Sequence, residues 1–309
     1  METKVERSDS GAIQFTSTSR TPKGLLKRIT PQSRYYWVRR LLENPAAVVS
    51  LLFLLGSLLA TLMLPVLSDV DLDRADPGVR LLPPSSEFWL GTDQFGRDVL
   101  LRTIYGVRVS LLVGASVMVV AAVAGIIIGM VAGYYARLDT FLMRIMDGLM
   151  AFPAILLAIA IMASLGPSTF NVIMALGVVY MPTIARLVRG STLSVKQQAY
   201  VEAARSIGTR DYVILARHIL PNALSPLIVQ CTFVVAFSII AEASLSFLGA
   251  GVPPDVPTWG SMLRDGQAVI NRAWWMVVAP GVFLFLTVLA LNMIGDALGD
   301  ALDPRSRQR

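Results

Sequence analysis

The stretch AYVEAARSIGTRDYVILARHILPN, Ala199 to Asn222, is charged and helix-patterned, yet it lies between two of the most apolar runs in the chain. Gly208 divides it. Before the glycine, Tyr200, Ala203, Ala204 and Ile207 share one helical face, and Gln198, Glu202 and Arg205 share another. Beyond it, Thr209 is placed to cap a second helix, with Asp211 in the first turn, where a negative charge complements the helix dipole. Tyr212, Leu215, Ala216 and Ile219 supply the apolar face of that helix, and Pro221 marks a bend at its exit. Glycine at 208 permits the left-handed backbone that stops a helix sharply. The stretch therefore predicts two short amphipathic helices joined by a tight turn. A hairpin that inserted into lipid headgroups would present Trp, Phe and Leu. The small alanine face of the first helix suits close docking of another protein instead.

What flanks the hairpin sets the fold class. Hydrophobic residues make up 54% of the 309 and charged residues 16%, against roughly 25% charged in soluble domains. Mean hydropathy is +0.61. The apolar residues come in blocks long enough for the ~20-residue helix that crosses a bilayer. Asn44-Pro45 reads as a cap and first helical position before a charge-free run, 46–68. A second span lies within 109–136. The run 148–185 is too long for one crossing, and Gly166-Pro167 breaks it into spans at about 148–165 and 168–186. Further spans at 219–241 and 273–295 complete an all-α integral membrane fold with six transmembrane helices. The first block is too long and too late for a cleaved secretion signal. The lone Cys231 lies within an apolar run and reads as a small buried hydrophobe.

Lys and Arg counts orient the spans. With the N-terminus inside, cytoplasmic segments 1–45, 137–147, 186–218 and 296–309 hold nine, two, six and three of the 27 cations. The outer segments hold seven, five of them in 69–108, where Asp69, Asp71, Asp73 and Asp76 also cluster. Both termini are expected in the cytoplasm. The net charge of +6 follows this sidedness and does not argue for nucleic acid. Residues 1–30 read as a polar leader. The stretch RYYWVRR at 34–40 reads as an interfacial anchor held by anionic membrane lipid.

Chemistry-bearing residues are scarce. His218 is the single histidine, which excludes a His-Glu-x-x-His zinc site and a two-histidine constellation. No Gly-x-x-x-x-Gly-Lys-Ser/Thr loop occurs, so the chain does not cradle nucleotide phosphates in that manner. No catalytic residue, cofactor site or metal site is expected. Glu242 and Asp296 stand near span ends, whereas an ion-coupled carrier would bury ionisable groups within its spans. Asn171 and Asn292 are the main polar candidates inside spans. Gly125, Gly129 and Gly133 read as a seam for close helix packing. In the outer loop 249–267, Pro253-Pro254 and Trp259 suggest a short structured segment with a large side chain for contact. The whole reads as a translocator without a motor of its own.

EAARSIG at 202–208 followed by HILPN at 218–222 resembles the cytoplasmic EAA loop of permease subunits in binding-protein-dependent ABC importers. The fit is to Glu202, Ala203, Ala204, Gly208, Leu220 and Pro221. LGTDQFGRDVLLRTIYGVRVSL at 90–111 resembles the C-type permease of dipeptide, oligopeptide and nickel systems. ARLVRGSTL, AEASLSFLGAG and ALNMIGDALGDALDP also look like that group, and glutathione importers share these stretches. The resemblance spans about 35–304. It implies an N-terminal span at 46–68, an external loop at 69–108, a five-span permease core within 109–299 and a cytoplasmic tail at 300–309. It also implies a bacterial cytoplasmic (inner) membrane, multi-pass, and a heterodimer with a homologous permease. Two ABC ATPase subunits binding ATP and Mg, and an external or periplasmic substrate-binding protein, complete the implied assembly. Peptides are the implied cargo; nickel is the alternative, and an ATPase-independent channel or carrier a more distant one. Ala199, Glu202, Ala203, Ala204, Arg205, Gly208 and Asp211 would couple ATP-driven movement of the partner to rotation of the fourth and fifth spans. Trp259 would touch the docked binding protein.

Overall fold

The computed structural model describes residues 6–7, 13–14, 41–67, 75–253 and 255–302. The aromatic-cationic stretch 34–40, Asp69, Asp71, Asp73 and residues 303–309 lie outside these, as does most of the leader. Within the leader, Glu6–Arg7 (β1) pairs antiparallel with Ile13–Gln14 (β2), Glu6 opposite Gln14. The other described elements are helical.

Helix α1, Pro45–Leu67, begins where the sequence places it. The Asn44 side chain accepts from the amides of Ala46 and Ala47 at 3.0 and 3.4 Å, satisfying two of the orphan donors of a helix start. Thr61 donates to the Ile104 carbonyl at 2.8 Å, fastening α1 to the next helix. Val49, Leu52 and Leu59 on its other side are exposed, a face suited to hydrocarbon.

Helix α2, Val99–Tyr134, is 36 residues long, ~54 Å. It starts well before the expected residue 109, so the boundary placed at 108 falls inside a helix. Asp98 caps it by accepting from the amides of Leu100 and Leu101. Arg108, at the expected boundary, is exposed on the helix, and Arg102 before it is buried with its Nε 4.0 Å from Asp93. A charge near a helix start is compatible with burial when a partner carboxylate stands beside it.

The expected third span, 148–165, is a bent pair. Helix α3, Ala136–Met150, and helix α4, Ala154–Leu165, meet at 93°. Pro153 at the junction cannot donate the amide that would continue α3. Five described helices are long and apolar enough to cross a membrane, and the bent pair raises the number to six. Gly166, at φ +81°, closes α4, and Asn171 donates to the Leu165 and Gly166 carbonyls there. That asparagine therefore finishes a helix end.

Helix α5, Thr169–Lys196, packs along α2 on the glycine seam. A Cβ on Gly125 would stand 2.8 Å from the Ile184 Cβ. One on Gly129 would stand 2.5 Å from the Ala185 carbonyl oxygen, and one on Gly133 2.6 Å from the Thr192 Cβ. The seam holds the two backbones closer than any side chain would permit. The hairpin follows as α6, Ala199–Ser206, and α7, Asp211–Ile214, with a wide turn over Leu215–Ile219. Helix α8, Leu220–Phe247, then crosses back, a short α9, Trp259–Gln267, follows, and α10, Trp275–Leu302, makes the last crossing. Val113, Val117, Ala175, Leu176 and Leu245 form the core between α2, α5 and α8.

Candidate functional site

The hairpin is built by its turn. Gly208 has φ +79°, its amide donates to the Arg205 carbonyl at 3.0 Å, and the Thr209 amide donates to Ala204 at 3.1 Å. This pair of bonds, closed through a left-handed glycine, ends α6 in a Schellman motif. It also corrects the expectation for Thr209. Thr209 belongs to the turn that closes α6, and the residue at the cap position of α7 is Arg210, which makes no side-chain cap.

The faces are correspondingly re-aimed. In α6, Val201 and Ala204 are buried, while Tyr200, Ala203 and Ile207 are exposed, Ile207 at 83%. The alanine pair is thus split: Ala204 packs inward and Ala203 is presented to the outside. Past the glycine, Ile214 and Ile219 are buried, and Tyr212 and Ala216 are exposed. The 3.6-residue pattern misses this because the Leu220 amide bonds back to Leu215, a π-type turn. Such a turn brings positions five apart onto one face.

Ile214 and Ile219 pack with Val201 against the Tyr134 ring at the end of α2. Asp211, expected only to complement a dipole, accepts from the Tyr134 hydroxyl at 2.7 Å and the Tyr135 hydroxyl at 3.0 Å. These two donors hold its carboxyl below the usual range, and the carboxylate in turn pushes the Tyr135 phenol up. Lys196 donates to the Tyr134 carbonyl at 2.6 Å, a cation at the helix end that favours one. Nearby, Arg189 grips Asp139 of α3 through two bonds at 2.5 and 2.7 Å, and Arg186 reaches Asp147 at 2.7 Å. Ala199 opens α6, and Glu202 and Arg205 are exposed on it, Glu202 in the first turn and Arg205 in the last. The result is an exposed surface of Tyr200, Ala203, Ile207 and Tyr212, with Glu202, Arg205 and Arg210 around it, on a base fixed to three helices. Tyr134 and Tyr135 were not singled out in the sequence; their adjacency to a predicted span end was the available signal.

The opposite end of the molecule overturns one expectation. Trp259 is fully buried, its Nε1 donating to the Thr103 carbonyl at 2.9 Å and its ring lying against Gly106. It fills the junction of α2 and α9 and is not available to a docked protein. Large aromatic surface is offered instead by Trp89 and Trp274, 72% and 57% exposed. Glu242 is also fully buried, accepting from Ser246 at 2.7 Å and Ser110 at 3.4 Å, so the acid at this span end ties α8 to α2. Asp93 pairs with Arg97 at 2.6 Å, near Arg102 and Asp265. Burial pushes the Asp265 carboxyl up, against the pull of Arg97, Arg102 and Arg264. Asn292, the other polar candidate, donates to its own helix at Val288.

Comparison with known proteins bears on this architecture. A family model described as binding-protein-dependent transport system inner membrane component matches residues 99–308. A second, the N-terminal TM domain of oligopeptide transport permease C, matches 35–84. A putative peptide transport system permease protein of Brucella abortus is 48% identical over 267 residues, 86% of this chain and 90% of that one. The dipeptide transport system permease protein DppC of Alkalihalophilus pseudofirmus is 42% identical, covering 87% and 89%. The glutathione transport system permease protein GsiD of Pectobacterium atrosepticum is 42% identical, covering 90% and 93%. Among solved structures, a chain of the MetNI methionine ABC transporter in an inward-facing conformation aligns with a TM-score of 0.56 at 20% identity. That alignment covers 66% of this chain and 98% of the other, a likeness of fold.

Proposed function

Because the chain belongs to the family of binding-protein-dependent transport system inner membrane components, we propose that it forms half of a peptide-translocating pore driven by separate ATPase subunits. The observation that carries this is identity of 42–48% to peptide, dipeptide and glutathione permeases along 86–90% of the chain. Those names favour peptides over nickel as cargo. A homologous permease supplies the other half of the pore. Two ATPases bind ATP and Mg and hydrolyse the nucleotide, and a substrate-binding protein delivers the peptide from outside. The hairpin face of Tyr200, Ala203, Ile207 and Tyr212 receives one ATPase, with Glu202, Arg205 and Gly208 setting its shape. Lys and Arg asymmetry supports a cytoplasmic position for that face and for both termini, and the bacterial relatives support an inner-membrane location.

In mechanical terms, the ATPases close on nucleotide and push the hairpin. Alternating access then follows from rigid movement of the spans attached to it. The test is purification of the assembled complex with its binding protein, identification of the bound cargo by mass spectrometry, and uptake of that compound into proteoliposomes. Uptake should require both internal ATP and external binding protein. Flux through this chain alone without ATP would replace the importer by a channel or carrier.

A further inference from the structure

The hairpin is fastened to the membrane helices at three places, and only two of them are connections of the chain. It enters from α5 after Lys196 and leaves into α8 at Leu220. The third fastening is to α2, through Tyr134, 77 residues away from Asp211. Tyr134 and Tyr135 donate to the two different oxygens of one carboxylate, at 2.7 and 3.0 Å. Two donors on two oxygens fix the orientation of the carboxylate as well as its position, and hydrogen bonds to a charged group are the stronger kind. The Tyr134 ring is further held by Lys196 Nζ at 5.3 Å and the Arg205 guanidinium at 5.1 Å from its centroid. Below the ring lie Val201, Ile214 and Ile219 from both limbs of the hairpin.

What this clasp holds is a single uninterrupted helix. α2 runs 36 residues to the Asp93–Arg97–Arg102 cluster at the far end of the molecule and is locked to α5 by the glycine seam. We propose that Tyr134 and Tyr135, by clasping Asp211, form a third leg of the transmission, so that the hairpin and α2 move as one body when the ATPases close. This rests on the importer reading and adds to it a helix that the chain connections alone would leave behind. Tyr134 and Tyr135 act as positioning residues; neither needs to touch cargo or nucleotide.

The test uses the full complex in nanodiscs, with spin labels at Ile127→Cys on α2 and Arg217→Cys on the hairpin in a Cys231→Ala background. Both label sites are exposed. The interspin distance should be the same in the nucleotide-free and ATP–vanadate-trapped complexes. In Tyr134→Phe/Tyr135→Phe it should change on trapping by roughly 2 Å or more, the scale of helix shifts in switching proteins. Asp211→Asn should produce the same change alone and add nothing in the double-Phe background, a non-additivity that unrelated structural roles would not show. ATPase recovery should stay near wild type in each. If the double-Phe protein does not accumulate, Asp211→Asn carries the same readout. A constant distance in both variants, or additive effects, would overturn the clasp. A wild-type complex that gathers no ATPase would overturn the importer reading itself, and the clasp with it.

Discussion

Replacing Gly208 separates the shape of the hairpin from its stability. At φ +79°, an L-residue side chain costs ~1–2 kcal/mol, rising to about 3 for a strained β-branched residue. There is no steric addition, because a Cβ at this position meets nothing within 4 Å. The chain can escape the strain only by giving up the two turn bonds from Gly208 and Thr209, each worth ~0.5–1.5 kcal/mol net. Against this stand the buried side chains of Val201, Ile214 and Ile219, at ~1.5–3 kcal/mol each. The hairpin should therefore remain folded on its base while Ile207 and the end of α6 are re-aimed. If the misaimed face must be restored to bind an ATPase, Gly208→Ala should weaken that binding roughly 5- to 30-fold, and Gly208→Val more. The assay is titration of the cognate ATPase onto the permease pair in nanodiscs, alongside thermal denaturation of the pair. Unchanged affinity in Gly208→Val would refute the reasoning. A fall in thermal stability matching the loss of binding would show that the glycine serves folding instead.

Trp259→Ala should destabilise the permease by ~3–5 kcal/mol, seen as lower membrane abundance, with basal and binding-protein-stimulated ATP hydrolysis falling together. Gly129→Ala should cost ~1–3 kcal/mol by forcing α2 from α5, whereas Gly190→Ala, in open space on α5, should be neutral or slightly stabilising; melting curves in detergent distinguish them. The depressed carboxyl of Asp211 contributes stability that is present above its unfolded value of ~3.9 and is lost as pH falls through the lower folded value. Hydrogen exchange in 199–222 should accordingly show the same protection at pH 7.5 and pH 5, and loss of protection by pH 5 would contradict it.

The spans could be read from the sequence because continuous apolar runs leave few alternatives, and the turn could be read because Gly208 has few substitutes. The glycine seam was legible for the same reason: small residues at helical spacing suit a helix contact. Other features depended on distant partners. Arg108 bounded the predicted span, yet the helix runs on through it to Val99, past Arg102, whose burial depends on the Asp93 carboxylate of a preceding loop. Trp259 looked available for contact because the space it fills is made by Gly106, on another helix. The buried face of the second hairpin limb was misplaced by the π-type turn, which shifts the register without changing composition. Of the residues expected to couple, Glu202, Ala203 and Arg205 are presented outward, and Ala204 faces the core. Asp211 is engaged with tyrosines that no local pattern could have supplied.

Photocrosslinking from Ile207 tests most directly whether this surface receives a motor. A benzophenone amino acid placed at Ile207 in the native membrane, with Trp89 at the opposite end as the comparison, should behave differently at the two sites. From Ile207, irradiation should yield an adduct whose tryptic peptides include a Gly-x-x-x-x-Gly-Lys-Ser/Thr sequence; from Trp89 it should yield none. Adducts from Ile207 to lipid alone, or an ATPase adduct from Trp89, would contradict the assignment of the hairpin.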